Sequence, residues 1–395
     1  MLTRDGWLLF LTRSTRLFAY GALSVVLVFY LTSLGLSTSQ TGLLLTLTLV
    51  GDTVVSLYLT TRADRIGRRR MLIIGAILMA AAGLAFASTR NFVFLVAAGT
   101  IGVISPSGNE VGPFLSIEQA ALSHVVPDRT RTAVFAWYTL AGSFATATGS
   151  LAGGTLSHLL QQTAMAPLES YRVVVLLYAV LGVLLALLFT RLSPAAEVSV
   201  PGTGSFGVAR SRGVVLKLSG LFALDSFAGG FVVQSFAAYW FYLRFGVDPG
   251  TLGAIFFWAN VFAGISALVA SRLATRFGLV RTMVFTHLPS NILLILVPLM
   301  PNLPLAVLVL LVRFSISQMD VPTRQSYVMA VVGPEERSAA GGITGVARTL
   351  GAALAPVFAG FLYARPSLVS VPFFIAGTLK VIYDLLLYRG FAARR

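Results

Sequence analysis

Cysteine is absent from the 395 residues, so disulfides and thiolate chemistry are excluded. Histidine occurs three times, too rarely for a histidine-based metal site to be expected. Charge is scarce: Asp, Glu, Lys and Arg make up 11% of the chain, against about 25% in a soluble domain. The charge that exists leans basic, 29 Lys and Arg against 14 Asp and Glu, for a net +15. A nucleic-acid surface would gather that excess on one face. Here the arginines are scattered through short loops, as on the cytoplasmic side of a membrane protein. No nucleotide loop, His-Glu-x-x-His run or nucleophile motif is found, so no enzyme and no resident cofactor are expected.

What is abundant is apolar length. Hydrophobic residues make up 56% of the chain, and the mean hydropathy is +0.86. A helix needs roughly 20 apolar residues to cross the bilayer. Glycine, proline and charge divide the chain into twelve such segments: 7–33, 40–61, 71–89, 92–125, 132–157, 170–191, 214–243, 250–274, 282–300, 303–332, 338–363 and 368–389. Within the first, Arg13 and Arg16 are followed by an apolar run in the manner of a signal peptide, but the run ends Leu34-Gly35-Leu36-Ser37 without an Ala-x-Ala cleavage site and reads as a span. The one long polar stretch is rich in Gly, Ser, Pro and Ala. It makes 192–213 a linker between two six-helix bundles, 1–191 and 214–395. Arginine sets the orientation. Arg62, Arg65, Arg68, Arg69, Arg70, Arg129, Arg131, Arg191, Arg276 and Arg281 fall in loops on one side. The other side holds only Arg90, Arg172, Arg244 and Arg365, so both termini are expected in the cytoplasm.

The two bundles repeat each other. Arg62-Ala63-Asp64-Arg65-Ile66-Gly67-Arg68-Arg69-Arg70 links spans two and three, and Leu273-Ala274-Thr275-Arg276-Phe277-Gly278-Leu279-Val280-Arg281 links spans eight and nine, about 211 residues later. Phe29-Tyr30-Leu31 and Phe241-Tyr242-Leu243 pair at nearly the same offset. Parallel six-span repeats are a transporter architecture.

Ionisable residues inside spans are costly and are functional candidates by default. Span four carries Ser105-Pro106-Ser107-Gly108-Asn109-Glu110-Val111-Gly112-Pro113, which breaks a helix twice. Glu110 lies in the break and Glu118 about two turns on; either can exchange a proton or simply hold an arginine. Span ten mirrors it with Asp320, Pro322 and Arg324, the two charges at i,i+4 spacing. Under the repeat Arg324 falls next to Glu118, so a Glu118–Arg324 contact is one expectation and a local Asp320–Arg324 pair the other. Arg13 falls opposite Asp225 of span seven, with Arg16 one turn above. Arg13 binds substrate, pairs, or snorkels to the surface. Lys380 and Asp384, also i,i+4, are expected to neutralise each other.

Twelve spans, the repeat and the hairpin together resemble the major facilitator superfamily, specifically the bacterial drug/proton antiporter type. The family hairpin reads Gly-x-Leu-Ala-Asp-Arg-x-Gly-Arg-Arg/Lys. Ala63, Asp64, Arg65, Gly67, Arg68 and Arg69 match it; Thr60 and Arg62 depart from it. The resemblance implies the major facilitator fold and secondary transport by alternating access in a bacterial cytoplasmic (inner) membrane, by a monomer whose partners are a small-molecule substrate, the proton and lipid. It implies conformational gating by Asp64, Arg65, Gly67 and Arg68, with Thr275 replacing the acid in the second copy. It also makes Asp52 and Arg348, on spans two and eleven, an expected interface pair. Gly142, Gly149, Gly153 and Gly154 of span five resemble the antiporter glycine motif, with Ser150 in place of its proline; otherwise they serve close helix packing. The function expected is proton-coupled efflux of a small organic compound. The alternatives are uptake or facilitated passage of a small anionic metabolite and, in another class, a non-transporting sensor or enzyme. The cavity candidates are Glu110, Glu118, Asp225, Asp320, Arg324, Arg13 and Arg16.

Overall fold

A computed structural model describes residues 2–110, 112–126, 128–197, 210–333 and 336–391; within them the side chains of Asp64, His124, 128–133, 195, 271 and 338 are outside the described ones. Its helices are α1 (Arg4–Ser33), α2 (Thr38–Ile66), α3 (Arg68–Ser88), α4 (Phe92–Ile101), α5 (Phe114–Val125), α6 (Asp128–Gln162), α7 (Pro167–Phe189), α8 (Arg212–Gly230), α9 (Gln234–Phe245), α10 (Pro249–Phe277), α11 (Leu279–Leu296), α12 (Leu303–Ser317), α13 (Asp320–Ala330), α14 (Arg337–Tyr363) and α15 (Val371–Phe391). No strand is present among the described residues. Among the described residues, ten helical segments are long and apolar enough to cross a membrane. The broken pair α4 and α5 and the 35-residue α6 lie where the other two expected spans, 92–125 and 132–157, fall.

Local chemistry sets the helix ends. Ser37 and Gln40 form a reciprocal capping box at the start of α2. α2 stops at Ile66 and α3 starts at Arg68, with only Gly67 between them at φ +115°. The corner between α10 and α11 is built the same way on Gly278 at φ +85°. A side chain at either φ would meet the backbone, so glycine permits a one-residue reversal.

Three spans are interrupted. The fourth unwinds between α4 and α5, where the sequence places its two prolines, and the freed carbonyls find partners: Ser105 donates to Asn109 O (2.8 Å), Thr146 to Gly108 O (3.3 Å) and Tyr178 to Val103 O. The tenth breaks between Ser317 and Asp320, ahead of Pro322 rather than at it. Pro322 then sits in the first turn of α13, where its missing N–H costs no helical bond. The seventh breaks between Gly230 and Gln234, which the hydropathy pattern did not suggest.

By contact the chain divides into two units. The first comprises Met1–Gly202 with Gln234–Phe257, and the second Thr203–Val233 with Trp258–Arg395. In the first, α1 packs along α6 and α3 along α7; in the second, α8 packs along α14 and α11 along α15. Spans one, five, three and six thus pair as seven, eleven, nine and twelve do. In the first unit α9 also lies on α1: the Gln234 amide donates to Ser24 (2.8 Å) and Ser150 (3.0 Å), and Phe29 meets the Tyr239 and Tyr242 rings edge-on.

Candidate functional site

Each unit buries a cluster of charged side chains. In the first, α1 supplies Thr12, Arg13 and Arg16, the unwound part of span four Glu110, α5 Glu118 and α6 Tyr138. Arg16 and Glu118 are fully buried and form a bidentate pair, Nη2–Oε2 2.7 Å and Nη1–Oε1 2.8 Å. Tyr138 and Thr12 donate to the same carboxylate at 2.6 and 2.8 Å. Four donors thus converge on the acceptor sites of this one carboxylate. Glu110 is the partly exposed member, 17% at its side chain; it forms an ion pair with Arg13 at 3.0 Å and accepts hydrogen bonds from Arg16 at 3.2 Å. Arg13 therefore does not snorkel: it is buried, pairs with Glu110 and lies 4.4 Å over the Tyr138 ring. Two arginines face two glutamates, so the cluster is neutral with its fixed charges alone.

In the second unit Asp225 of α8 is the hub. Lys380 of α15 donates to its Oδ1 at 2.5 Å, and Arg324 of α13 reaches its Oδ2 at 3.3 Å. Arg324 also holds Asp320 at 3.0 Å, the local i,i+4 pair. The expected Lys380–Asp384 pairing is corrected here. Both side chains point into the bundle, but Lys380 turns to Asp225, while Asp384 accepts from the Asn291 amide (2.8 Å) and contacts His287 Nδ1 (2.9 Å). Helical spacing permits the i,i+4 pair, but buried acceptors on α8 compete for the lysine. Asp225, His287 and Asp320 each bring one donor atom to within 4.8 Å of the others, a spacing a metal ion could use. Lys380 and Arg324 already sit on Asp225, so a divalent cation there would face two fixed positive charges.

The remaining sequence candidates are distributed as follows. Asp64 lies in the last turns of α2, with its side chain outside the described ones. Arg65 is exposed, Gly67 forms the corner, and Arg68 is buried with Nη1 3.4 Å from Ala196 O. Asp52 is buried on α2, beside the Gly112 backbone and Ser56. Arg348 is half-buried on α14 in the field of Arg324. Gly142, Gly149 and Gly153 face α1: a Cβ on Gly153 would stand 2.7 Å from Ala22 Cα, and one on Gly149 2.9 Å from Phe18 Cα. Gly154 faces the start of α10, where its Cβ would lie 2.8 Å from Gly253 Cα. Gly149, Gly153 and Gly154 let backbones approach closely, while Gly142 leaves room for the Leu17 and Arg13 side chains.

Two participants went unnoticed in the sequence. His287 sits on a largely apolar span; the signal available was its helical spacing from Thr282, Thr286, Ser290 and Asn291, which together form one buried polar face of α11. Glu197, just past α7, accepts from the Arg68 N–H (2.7 Å) and the Arg69 N–H (3.1 Å) and so caps α3. At the far end of the linker Glu336 accepts from the Arg210 and Ser211 N–H groups at 2.8 and 3.1 Å.

Comparison with known proteins agrees with this architecture. The sequence model described as Major Facilitator Superfamily matches residues 9–243 and 226–394. An uncharacterized membrane protein of Saccharomyces cerevisiae, YJR124C, is 31% identical over 419 residues, covering 98% of this chain and 93% of the yeast protein. Among solved structures, the nucleoside transporter NupG superposes with a TM-score of 0.76 at 13% identity, over 99% of this chain and 100% of that one. A bacterial homolog of the human lysosomal transporter Spinster gives 0.72 at 16%, over 98% and 95%. A D-xylose-proton symporter gives 0.71 at 16%, over 97% of each. At these identities the structural likeness speaks to the fold. With the family match running through both repeats, the chain belongs to the Major Facilitator Superfamily, as an integral membrane, non-enzymatic transporter.

Proposed function

We propose that the protein is a proton-coupled secondary transporter that exports a small organic compound by alternating access. The observation carrying this reading is the buried ion cluster within each unit. A dozen charged or polar side chains at membrane depth are costly to keep and serve no catalytic chemistry here. In an alternating-access cycle such a cluster gives the proton leverage, because adding or removing one charge changes which pairings are stable. A ligand shifts a conformational equilibrium only by its differential affinity for the two states.

Glu118, satisfied by four donors, is assigned to anchoring Arg16. Glu110, Asp225, Asp320 and Arg324 are assigned to coupling or substrate contact, with Arg13 and Arg16 as the counter-charges of Glu110. Asp64, Arg65, Gly67 and Arg68 at the first corner, with Asp52 and Arg348 at mid-span, are assigned to control of the conformational cycle. Uptake of an anion is the weaker reading, because Arg13, Arg16 and Arg324 are each already paired inside the protein. The glycine pattern of α6 supports export, and the arginine distribution supports cytoplasmic termini; we take the working unit to be a monomer.

A thermal-shift screen on the solubilised protein identifies a ligand, since binding to the native state raises apparent stability. In proteoliposomes an inwardly directed proton gradient should then drive that compound outward, and a protonophore should abolish the movement. Transport indifferent to the gradient would remove the coupling from this reading.

A further inference from the structure

We propose that His287 is the proton-carrying group of the second unit, held as an imidazolium between Asp225 and Asp384 and exchanging its proton during transport. The inference rests on the proton-coupled reading above and gives that proton a site. Its ground is the geometry of the ring. Nδ1 lies 2.9 Å from Asp384 Oδ1, and Nε2 lies 3.7 Å from Asp225 Oδ1. A neutral imidazole carries one proton. With it on Nδ1, the Nε2 lone pair faces Asp225; with it on Nε2, the Nδ1 lone pair can accept from the Asn291 amide at 3.1 Å but still stands 2.9 Å from Asp384 Oδ1. Only the doubly protonated ring presents a proton to both carboxylates.

The charge count agrees. Asp225, Asp320 and Asp384 are three acids, whereas Arg324 and Lys380 are the two fixed cations in contact with them. A protonated His287 supplies the third positive charge. The first unit needs no such group, because Arg13 and Arg16 already balance Glu110 and Glu118. Other groups face the ring or its partners. Asn291 lies one turn along α11 with its amide nitrogen 3.1 Å from Nδ1, and the Tyr383 ring of α15 stands edge-on at 5.8 Å. Arg313 of α12 and Arg348 of α14 lie within the field of Asp225.

The exchanging proton is the one on Nε2. Asp225 lies beyond hydrogen-bond distance of it and shares the same oxygen with Lys380, whereas Nδ1 is held at 2.9 Å. On release the N–H electron pair stays on Nε2, the ring becomes neutral, and the proton passes to water of the transport path. The groups in direct contact are left one negative charge in excess, with a lone pair against Asp225 and with Arg313 and Arg348 as the further cations in its field. Lys380 and Arg324 must then redistribute, which ties the protonation state to the packing of α8, α11, α13 and α15.

The chain has only three histidines, so the test reads one ring directly. The full-length protein, labelled with nitrogen-15 histidine and carrying His124→Gln and His158→Gln, is followed by NMR in lipid nanodiscs as pH is raised from mildly acidic to alkaline. The expected result is a ring protonated on both nitrogens at the mildly acidic end of the series. It should convert at higher pH to a neutral ring with its proton on Nδ1. Asp225→Asn should cause loss of the two-proton signal at neutral pH. A ring that is neutral throughout, or that keeps both protons until the protein unfolds, overturns the proposal even where vesicles show coupled transport. A ring that titrates as expected in a protein whose vesicles show no proton coupling overturns the transport reading, and the role of His287 with it.

Discussion

Replacing Glu118 by Gln removes one charge from a fully buried pair while keeping the shape. In the native cluster the Glu118 oxygens receive two N–H groups of Arg16 and the hydroxyls of Tyr138 and Thr12. The amide keeps one acceptor oxygen and turns an NH2 toward a guanidinium that has only donors to offer. Breaking a buried pair from one side typically costs 3–5 kcal/mol, about as much as leaving the remaining charge uncompensated. Arg16 retains Glu110 at 3.2 Å, so the expected cost lies at the lower end, about 3 kcal/mol, or roughly a hundredfold in the folding equilibrium. Removing both charges with Arg16→Met and Glu118→Leu leaves the Arg13–Glu110 pair neutral. That double variant should be less damaged than the sum of its single changes, with a coupling of about 2 kcal/mol. Equilibrium unfolding in mixed micelles, followed by tryptophan fluorescence, measures all four corners of the cycle. Glu118→Gln within about 0.5 kcal/mol of the parent, or a double variant no better than additive, would refute an ionised structural anchor.

Two further expectations concern the ends of spans. Glu197→Ala should cost about 1 kcal/mol by uncapping α3, and Glu197→Gln less, because the amide still accepts one N–H; thermal unfolding of the three proteins ranks them. Asp248, just before α10, contacts His158 at 3.1 Å. Burial alone would push its carboxyl up, but the hydroxyl and backbone N–H of Thr251, with His158 and the Gly250 N–H, outweigh burial and hold it below the usual carboxylate range. A lowered folded-state value means its contribution is present above the unfolded value, about 3.9, and fades as pH falls through the folded one. Asp248→Asn should therefore differ from the parent by less than about 1 kcal/mol at neutral pH, since the pair is solvent-screened, and by nothing in strong acid. A stability difference that grows on acidification would contradict that assignment.

Much of the architecture is local, and local features are legible in a chain without context. Apolar runs of bilayer length mark the spans, because lipid offers backbone groups no partner except their own helix. Gly67 and Gly278 mark the two corners, because only glycine turns the chain there within one residue. Pro106 and Pro113 mark the broken fourth span. The same reasoning made Arg13, Arg16, Glu110, Glu118, Asp225, Asp320 and Arg324 candidates, because charge at membrane depth needs a reason. Apart from the local Asp320–Arg324 pair, the tertiary structure alone decided which charge meets which. Past its arginines α3 is apolar on every side, so no stripe reveals the face it turns inward. The choice of Asp225 over Asp384 by Lys380 depends on how α8 packs against α15. The enclosure of His287 by carboxylates from two other helices, and the cap that Glu197 places on α3 from well over 100 residues away, follow from three-dimensional packing that spacing along one helix cannot encode.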